Sequence, residues 1–120
     1  MVIDPSMLTD EALEMVAARF RCLAEPMRLK ILRALQEREL TVGQLVRQLE
    51  ANQANISKHL KVLMEAGVVA RRSQGTSAHF SISDPMILTL CHTICNGLAE
   101  KLKTQAKGFG LTLAKRRAAR

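Results

Sequence analysis

Apolar residues recur at the three- and four-residue spacing of α-helices along most of this chain. Thr9, followed by Asp10 and Glu11, is a favourable helix start, because its hydroxyl can cap a free amide and the acids complement the helix dipole. Glu25-Pro26 ends this first helix and starts the second, since proline is tolerated at a first helical position but not inside a helix. The apolar stripes of the two helices are Leu13, Val16, Ala17, Phe20 and Leu23, and Ile31, Leu32 and Leu35.

Two shorter helices follow and are joined by a tight turn. Thr41 and Gln44 form a capping-box pattern that begins the third helix, and Asn52 is suited to cap the fourth. Ala66-Gly67 ends the fourth helix, because glycine readily takes the left-handed conformation of a C-terminal cap. Their predicted buried residues are Val42, Leu45, Val46 and Leu49, and Ile56, Leu60 and Leu63. Two short amphipathic helices in this order predict a helix-turn-helix.

A β-hairpin and one long helix complete the pattern. Strands are predicted at 68–72 and 77–82, around a glycine-containing turn at 73–76. Asp84-Pro85 then starts a final helix that we expect to end at Gly108 and Gly110. Its apolar stripe is Ile87, Cys91, Ile94, Cys95, Leu98 and Leu102. The predicted fold class is mainly α, with about five helices and a small two-stranded hairpin.

The length of 120 residues suits one small domain. We expect a flexible arm at 1–8, the domain at 9–108 and a basic C-terminal tail at 109–120. Aromatic residues are 2% of the chain, with no Trp or Tyr, so Leu, Ile, Val, Met and Ala must form the core. That composition favours packed helices over a β-sandwich.

The formal net charge of +7 and the pI of about 9.9 favour an anionic partner, either nucleic acid or an acidic membrane surface. No stretch approaches the roughly 20 apolar residues that span a bilayer. The acidic N-terminus is unlike a secretory signal. Three cysteines are an odd number without disulfide-framework spacing, so reduced thiols in a cytoplasm are the simplest interpretation.

The fourth helix carries polar side chains of the kind that read DNA bases. Asn and Gln can pair bidentately with adenine, while Ser and Lys can reach bases or phosphates. His59 is either a phosphate contact or a packed or capping histidine. This polar face could also be an ordinary solvated helix surface. The capped helix that precedes it and the basic hairpin that follows it favour the DNA-reading function. The recognition-helix candidates are Gln53, Asn55, Ser57, Lys58 and His59.

Basic residues outside this helix are candidates for phosphate contact, although any one of them could be simply solvated. Arg71 and Arg72 lie in the predicted first strand, and Gln74 in the predicted turn completes the set of DNA-binding candidates. Further phosphate candidates are Arg28, Lys30 and Lys61. No Ser/His/Asp set, carboxylate pair, phosphate-binding glycine loop or HExxH motif is present, which argues against an enzyme.

Three consecutive segments resemble the ArsR/SmtB family of bacterial winged-helix repressors. They are RFRCLAEPMRLKILRAL, LTVGQLVRQLEANQANISKHLKVLMEAGVV and ARRSQGTSAHFSIS, and the similarity runs from about Phe20 to Ser83. The resemblance implies a winged helix-turn-helix that forms a homodimer through its first and last helices. It also implies binding to an inverted-repeat operator in double-stranded DNA, with an inducer bound elsewhere that loosens this binding.

The family's metal-site motifs are not reproduced. Arsenic- and cadmium-type members often carry Cys-x-Cys on the third helix, where this chain has Thr41-Val42-Gly43. Zinc-, nickel- and cobalt-sensing members often carry Asp-x-His at the start of the last helix, where this chain has Asp84-Pro85-Met86. We therefore expect neither of these sites.

The cysteines offer a different candidate sensor. Cys91 and Cys95 are four residues apart in the last helix, so both side chains project from one face. Cys22, at the end of the first helix, could approach them within or across subunits of the family dimer. Three thiolates would suit trivalent arsenic or antimony, and two would suit reversible oxidation or persulfide formation. The alternative is that the cysteines are small buried hydrophobic residues.

The sequence therefore predicts a cytoplasmic, homodimeric transcriptional repressor that needs no cofactor and has no membrane partner. Its operator affinity would fall when a thiol-reactive inducer, a soft metal ion or a reactive sulfur or oxidant species, engages the cysteines. Two alternatives remain open. One is a constitutive or partner-regulated DNA-binding repressor with structural cysteines, and the other is an adaptor for an acidic protein.

Overall fold

The computed structural model describes residues 3–105. After a 3-10 turn at Pro5–Met7, the helices are α1 (Asp10–Leu23), α2 (Pro26–Leu35), α3 (Val42–Leu49), α4 (Gln53–Glu65) and α5 (Met86–Gln105), and the strands are β1 (Leu40–Thr41), β2 (Val69–Gln74) and β3 (Ser77–Ile82). The predicted C-terminal tail and the two glycines expected to end α5 lie outside the described residues. No helix within 3–105 has the length and hydrophobicity needed to span a bilayer.

The helix starts are set by local capping, as the sequence predicts. The Thr9 hydroxyl accepts a hydrogen bond from the amide of Ala12, and the Asn52 carboxamide accepts one from the amide of Asn55. Thr41 and Gln44 form the full capping box, at 3.2 and 2.8 Å. Gly67 has a φ of 75°, the left-handed conformation expected after α4. The capping hydrogen bonds connect residues three positions apart, which is why the sequence alone predicts them.

The chain falls into two compact units that divide after Asp84. The first unit holds α1–α4 and the sheet, and its core is aliphatic, as the composition predicts. Its fully buried side chains are Ile31, Leu40, Leu45, Ile56, Leu60, Leu63 and Val68. The described part of the second unit is α5.

The sheet has three antiparallel strands in the order β1-β3-β2, one more than the predicted hairpin. The additional strand is Leu40–Thr41, in which Leu40 pairs with Phe80 and Thr41 with His79. A two-residue strand has no alternating pattern long enough to be recognised in a sequence. Strand β2 also continues to Gln74, so the predicted four-residue turn is a two-residue loop of Gly75 and Thr76. Gly75 has a φ of 62°, which a two-residue hairpin loop beginning with glycine requires.

The apolar stripe predicted on α1 is only partly buried. Leu23 lies in the core, but Leu13, Val16 and Phe20 are exposed, Phe20 to 48%. These three residues share one face of the helix because they are spaced by three and four positions. On α5, Ile94 and Leu98 are likewise exposed, to 53% and 54%. Each unit therefore presents a row of large apolar side chains to solvent.

Candidate nucleic-acid interface

Helix α4 has one buried face and one polar face. Ile56, Leu60 and Leu63 are buried in the core of the first unit and hold the helix in place. The opposite face carries exposed side chains one turn apart, namely Gln53, Ser57, Lys58 and Lys61. Because the capped N-terminal half bears the amide and the hydroxyl, this face can offer donors and acceptors to base edges in a major groove.

The remaining two recognition-helix candidates lie away from the centre of this face. Asn55 is half-buried at its edge, and His59, one turn further along, is buried with 6% of its surface exposed. The Nδ1 atom of His59 lies 3.2 Å from Nη1 of Arg28 on α2. Of the two roles considered for His59, this burial favours the packed one. Burial, followed by the charge of Arg28, lowers the pKa of His59 below its ordinary value.

Arg28 is half-buried, and its guanidinium is engaged by contacts within the protein. Its Nε donates to the carbonyl oxygen of Cys22 at 2.6 Å, and its Nη2 donates to that of Arg21 at 3.3 Å. These contacts, with the one to His59, use all three guanidinium nitrogens. They occupy three of its five N–H donors and fix the guanidinium between the end of α1 and His59 of α4. Lys30 and Lys61, the other phosphate candidates, are exposed.

The wing, which we define as β2 and β3, presents its basic residues in two different states. Arg71 is exposed, and its Nη1 donates to the hydroxyl of Ser73 at 3.1 Å. Arg72 forms an ion pair with Glu39 and donates to the side-chain oxygen of Gln74 at 3.1 Å. The hydrogen bond from Arg72 lowers the pKa of Glu39 and raises that of Arg72. Arg71 is thus available to a phosphate, whereas Arg72 is engaged with both Glu39 and Gln74.

The helix-turn-helix also carries an exposed basic residue, Arg47, that was not among the sequence candidates. Arg47 lies on α3, the helix that precedes α4, and it faces away from the buried Leu45. In helix-turn-helix proteins the first helix of the motif crosses the DNA backbone. The sequence signal that could have identified Arg47 is its position on α3, two residues after the predicted buried Leu45 and therefore on the opposite face.

The three cysteines differ in accessibility. Cys22 is buried, Cys91 is half-buried and Cys95 is exposed, and all three are free thiols. Burial raises the pKa of the Cys22 thiol. Burial and, to a smaller extent, the neighbouring Cys95 raise the pKa of Cys91. Within residues 3–105, no group of three or more His, Cys, Asp or Glu side chains is arranged to hold a metal ion.

Known proteins share this architecture. A family model described as "Bacterial regulatory protein, arsR family" matches residues 25–71, which run from the start of α2 into β2. The chain is 34% identical over 96 residues to a probable mercury resistance operon repressor of Streptomyces lividans, covering 76% of this chain and 77% of that protein.

Two solved structures have the same fold. The crystal structure of Rv0081 from M. tuberculosis matches with a TM-score of 0.74 and 35% identity, over 81% of this chain and 98% of the other. The second is the homodimeric winged helix-turn-helix DNA-binding domain of a possible ArsR-family regulator from Mycobacterium bovis. It matches with a TM-score of 0.72 and 25% identity, over 82% of this chain and 94% of that domain. The predicted winged helix-turn-helix is confirmed.

Proposed function

This chain belongs to the ArsR family of bacterial DNA-binding transcriptional regulators, and we propose that it is a homodimeric repressor that binds an inverted-repeat operator. Members of this family are regulators rather than enzymes. The observation that carries the proposal is the division of α4 into a buried aliphatic face and an exposed polar face. In this proposal Gln53, Asn55 and Ser57 contact base edges, while Lys58 and Arg71 contact phosphates.

Two substitutions on α4 test these roles. Lys58→Ala should weaken binding to all duplexes alike and reduce the slope of log affinity against log salt by about 1. Asn55→Ala should cost about 1–3 kcal/mol and relax selectivity at one operator position. Gel-shift titrations against a duplex enriched from a random library and against random DNA measure both. A selective loss for Lys58 with a uniform loss for Asn55 would reverse the roles, and equal affinity of the wild type for both duplexes would favour the adaptor alternative.

The exposed apolar rows support the homodimer. Phe20 lies with Leu13 and Val16 in one exposed apolar row on α1, and the related M. bovis domain is homodimeric. Phe20→Glu should therefore dissociate the dimer in light-scattering measurements. Met15→Glu is the matched control, because Met15 is 75% exposed but lies on the opposite side of α1. A dimeric Phe20→Glu protein, or loss of the dimer in both variants, would place the interface elsewhere.

We further propose that Cys91 and Cys95 form the inducer site and that the inducer is a thiophilic metal ion. Their i, i+4 spacing places two thiols on one face of α5, and Cys95 is exposed to an incoming ion. The raised pKa of Cys91 disfavours spontaneous thiolate oxidation at neutral pH. A bound cation would instead favour the thiolates and offset their mutual repulsion. The relative in S. lividans, a probable mercury resistance operon repressor, supports a soft ion.

Trivalent arsenic, trivalent antimony and mercuric ion are the probes for this site. Each should lower operator affinity by about 5- to 150-fold if it couples to DNA binding as allosteric effectors usually do. The double variant Cys91→Ser/Cys95→Ser should abolish the response, while Thr93→Ala, an exposed neighbour on the same helix, should retain it. Cys22→Ser tests whether the buried cysteine supplies a third sulfur from the same or the partner subunit. An unchanged response in the double variant would favour structural cysteines.

A further inference from the structure

We propose that Arg28 is a positioning residue for operator binding, because its guanidinium ties the inner face of the recognition helix α4 to the C-terminal end of α1. The proposal rests on the DNA-reading role of α4 given above. It assigns to Arg28 a role that differs from the phosphate contact expected from its charge. Three side-chain hydrogen bonds, to Arg21, Cys22 and His59, carry the argument.

Arg28 reaches from the start of α2 to the end of α1. Arg28 lies in the first turn of α2, where a positive charge opposes the helix dipole. Its side chain extends to the last turn of α1, where the dipole favours a cation. Arg28 donates to the carbonyls of Arg21 and Cys22 in this turn. The carbonyl of Arg21 also accepts the amide of Ala24, the C-cap residue, at 3.1 Å. Arg28 therefore acts as a side-chain cap for the end of α1.

The third contact reaches the recognition helix. His59 is the only buried polar side chain among the residues whose burial the structure describes. A guanidinium has no acceptor, so the Nδ1 atom of His59 must accept the hydrogen bond from Arg28 and cannot carry a proton. The described geometry thus requires neutral His59 with its proton on Nε2.

The surrounding charges make this contact sensitive to protonation. Arg28 on α2 and Lys58 on α4 disfavour a positive charge on His59, whereas Glu25, the residue that precedes α2, favours one. A proton on Nδ1 would remove the only acceptor for Arg28 Nη1 in this contact and would put two cations about 3 Å apart. Acidification should therefore release α4 from Arg28 and lower the affinity for operator DNA.

The first experiment separates positioning from phosphate contact. Arg28→Met and Lys30→Met each remove one positive charge from α2, and Lys30 is exposed. The probe is the duplex enriched from a random library by the wild-type protein. Arg28→Met should lose about tenfold in affinity for this duplex, about 1.4 kcal/mol, with an unchanged salt slope and near-wild-type affinity for random DNA. Lys30→Met should show at most a uniform loss with a shallower slope. Wild-type affinity in Arg28→Met, or a uniform loss with a shallower slope, would overturn the proposal.

The second experiment uses pH. Because the pKa of His59 is lowered, wild-type affinity for the selected duplex should fall as the pH drops below about 6.5. His59→Gln should flatten this dependence, because its amide oxygen can accept from Arg28 without titrating. His92→Gln, exposed on α5 and outside the proposed DNA interface, is the matched control and should retain the wild-type profile. A wild-type profile in His59→Gln would refute the coupling.

A third measurement needs no DNA, so it distinguishes failure of the positioning role from failure of the proposed function. Nitrogen NMR of the free protein should show His59 as the Nε2-protonated tautomer, and Arg28→Met should shift the Nδ1 resonance. If Arg28→Met does not fold, Arg28→Lys serves, because a single ammonium cannot reproduce the fork of donors. An Nδ1-protonated His59 in the wild type would disprove the contact whatever the protein binds.

Discussion

Truncation of two adjacent residues of α4 should affect different properties, because one side chain faces the core and the other faces solvent. The first truncation should lower the free energy of unfolding, and the second should lower the affinity for DNA. Ile56 is completely buried, and Ser57 is exposed. Ile56→Ala removes three carbon groups, which at about 0.8 kcal/mol per buried CH₂ gives about 2.4 kcal/mol. The cavity left behind raises the expected loss to about 3–4 kcal/mol, inside the usual range for such substitutions. Ser57→Ala should change stability by less than about 0.5 kcal/mol.

Urea unfolding at one fixed protein concentration measures both changes, and the fixed concentration is needed because the stability of a dimer depends on it. With an m-value of about 2 kcal/mol per molar, Ile56→Ala should lower the midpoint by about 1.5–2 M without altering m. The milder Ile56→Val should cost about 0.5–1.5 kcal/mol if the alanine variant fails to fold. Ser57→Ala should instead weaken operator binding at an unchanged midpoint. Equal losses of stability at the two positions would refute the assigned orientation of α4.

Four further predictions concern backbone conformation, charge and pH. Glu50 ends α3 in the left-handed conformation, with a φ of 51°, which asparagine adopts more readily than glutamate. Glu50→Asn should therefore raise the free energy of unfolding by up to about 1 kcal/mol in urea titrations. A destabilised variant would contradict the assignment of strain. Gly67→Ala should cost about 1–2 kcal/mol through backbone strain alone, because the space around it is open; a neutral result would mean that φ there is not positive. Glu39→Ala should release Arg72 from its ion pair and tighten DNA binding at low salt, with a steeper salt slope; unchanged affinity would show that Arg72 does not face DNA. The pKa of His59 is lowered in the folded state, so the unfolded chain takes up the proton first as the pH falls below about 6.5, and stability should decline in that range unless His59 is replaced by Gln.

Much of the candidate interface could be predicted from the sequence because it depends on short-range periodicity. The exposure of Gln53, Ser57 and Lys58 follows from the helical spacing of Ile56 and Leu60. The inward position of His59 follows from the same spacing, since it lies between residues of the buried face. Its polar ring gave equal reason to expect a phosphate contact, so the pattern left its role open.

What the sequence by itself determined were the elements and their faces: the capped starts of α1, α3 and α4, the aliphatic core and the polar edge of the recognition helix. The capped starts and the polar edge depend on side chains within about one helical turn of each other, and the aliphatic core follows from the composition. The tertiary structure alone decided how the basic residues are used. Arg28 meets His59 across 31 positions and Arg72 meets Glu39 across 33, so no local pattern reports either pair. The physical reason is that a charge shows no periodicity of its own, and its partner is fixed only when packing brings distant segments together.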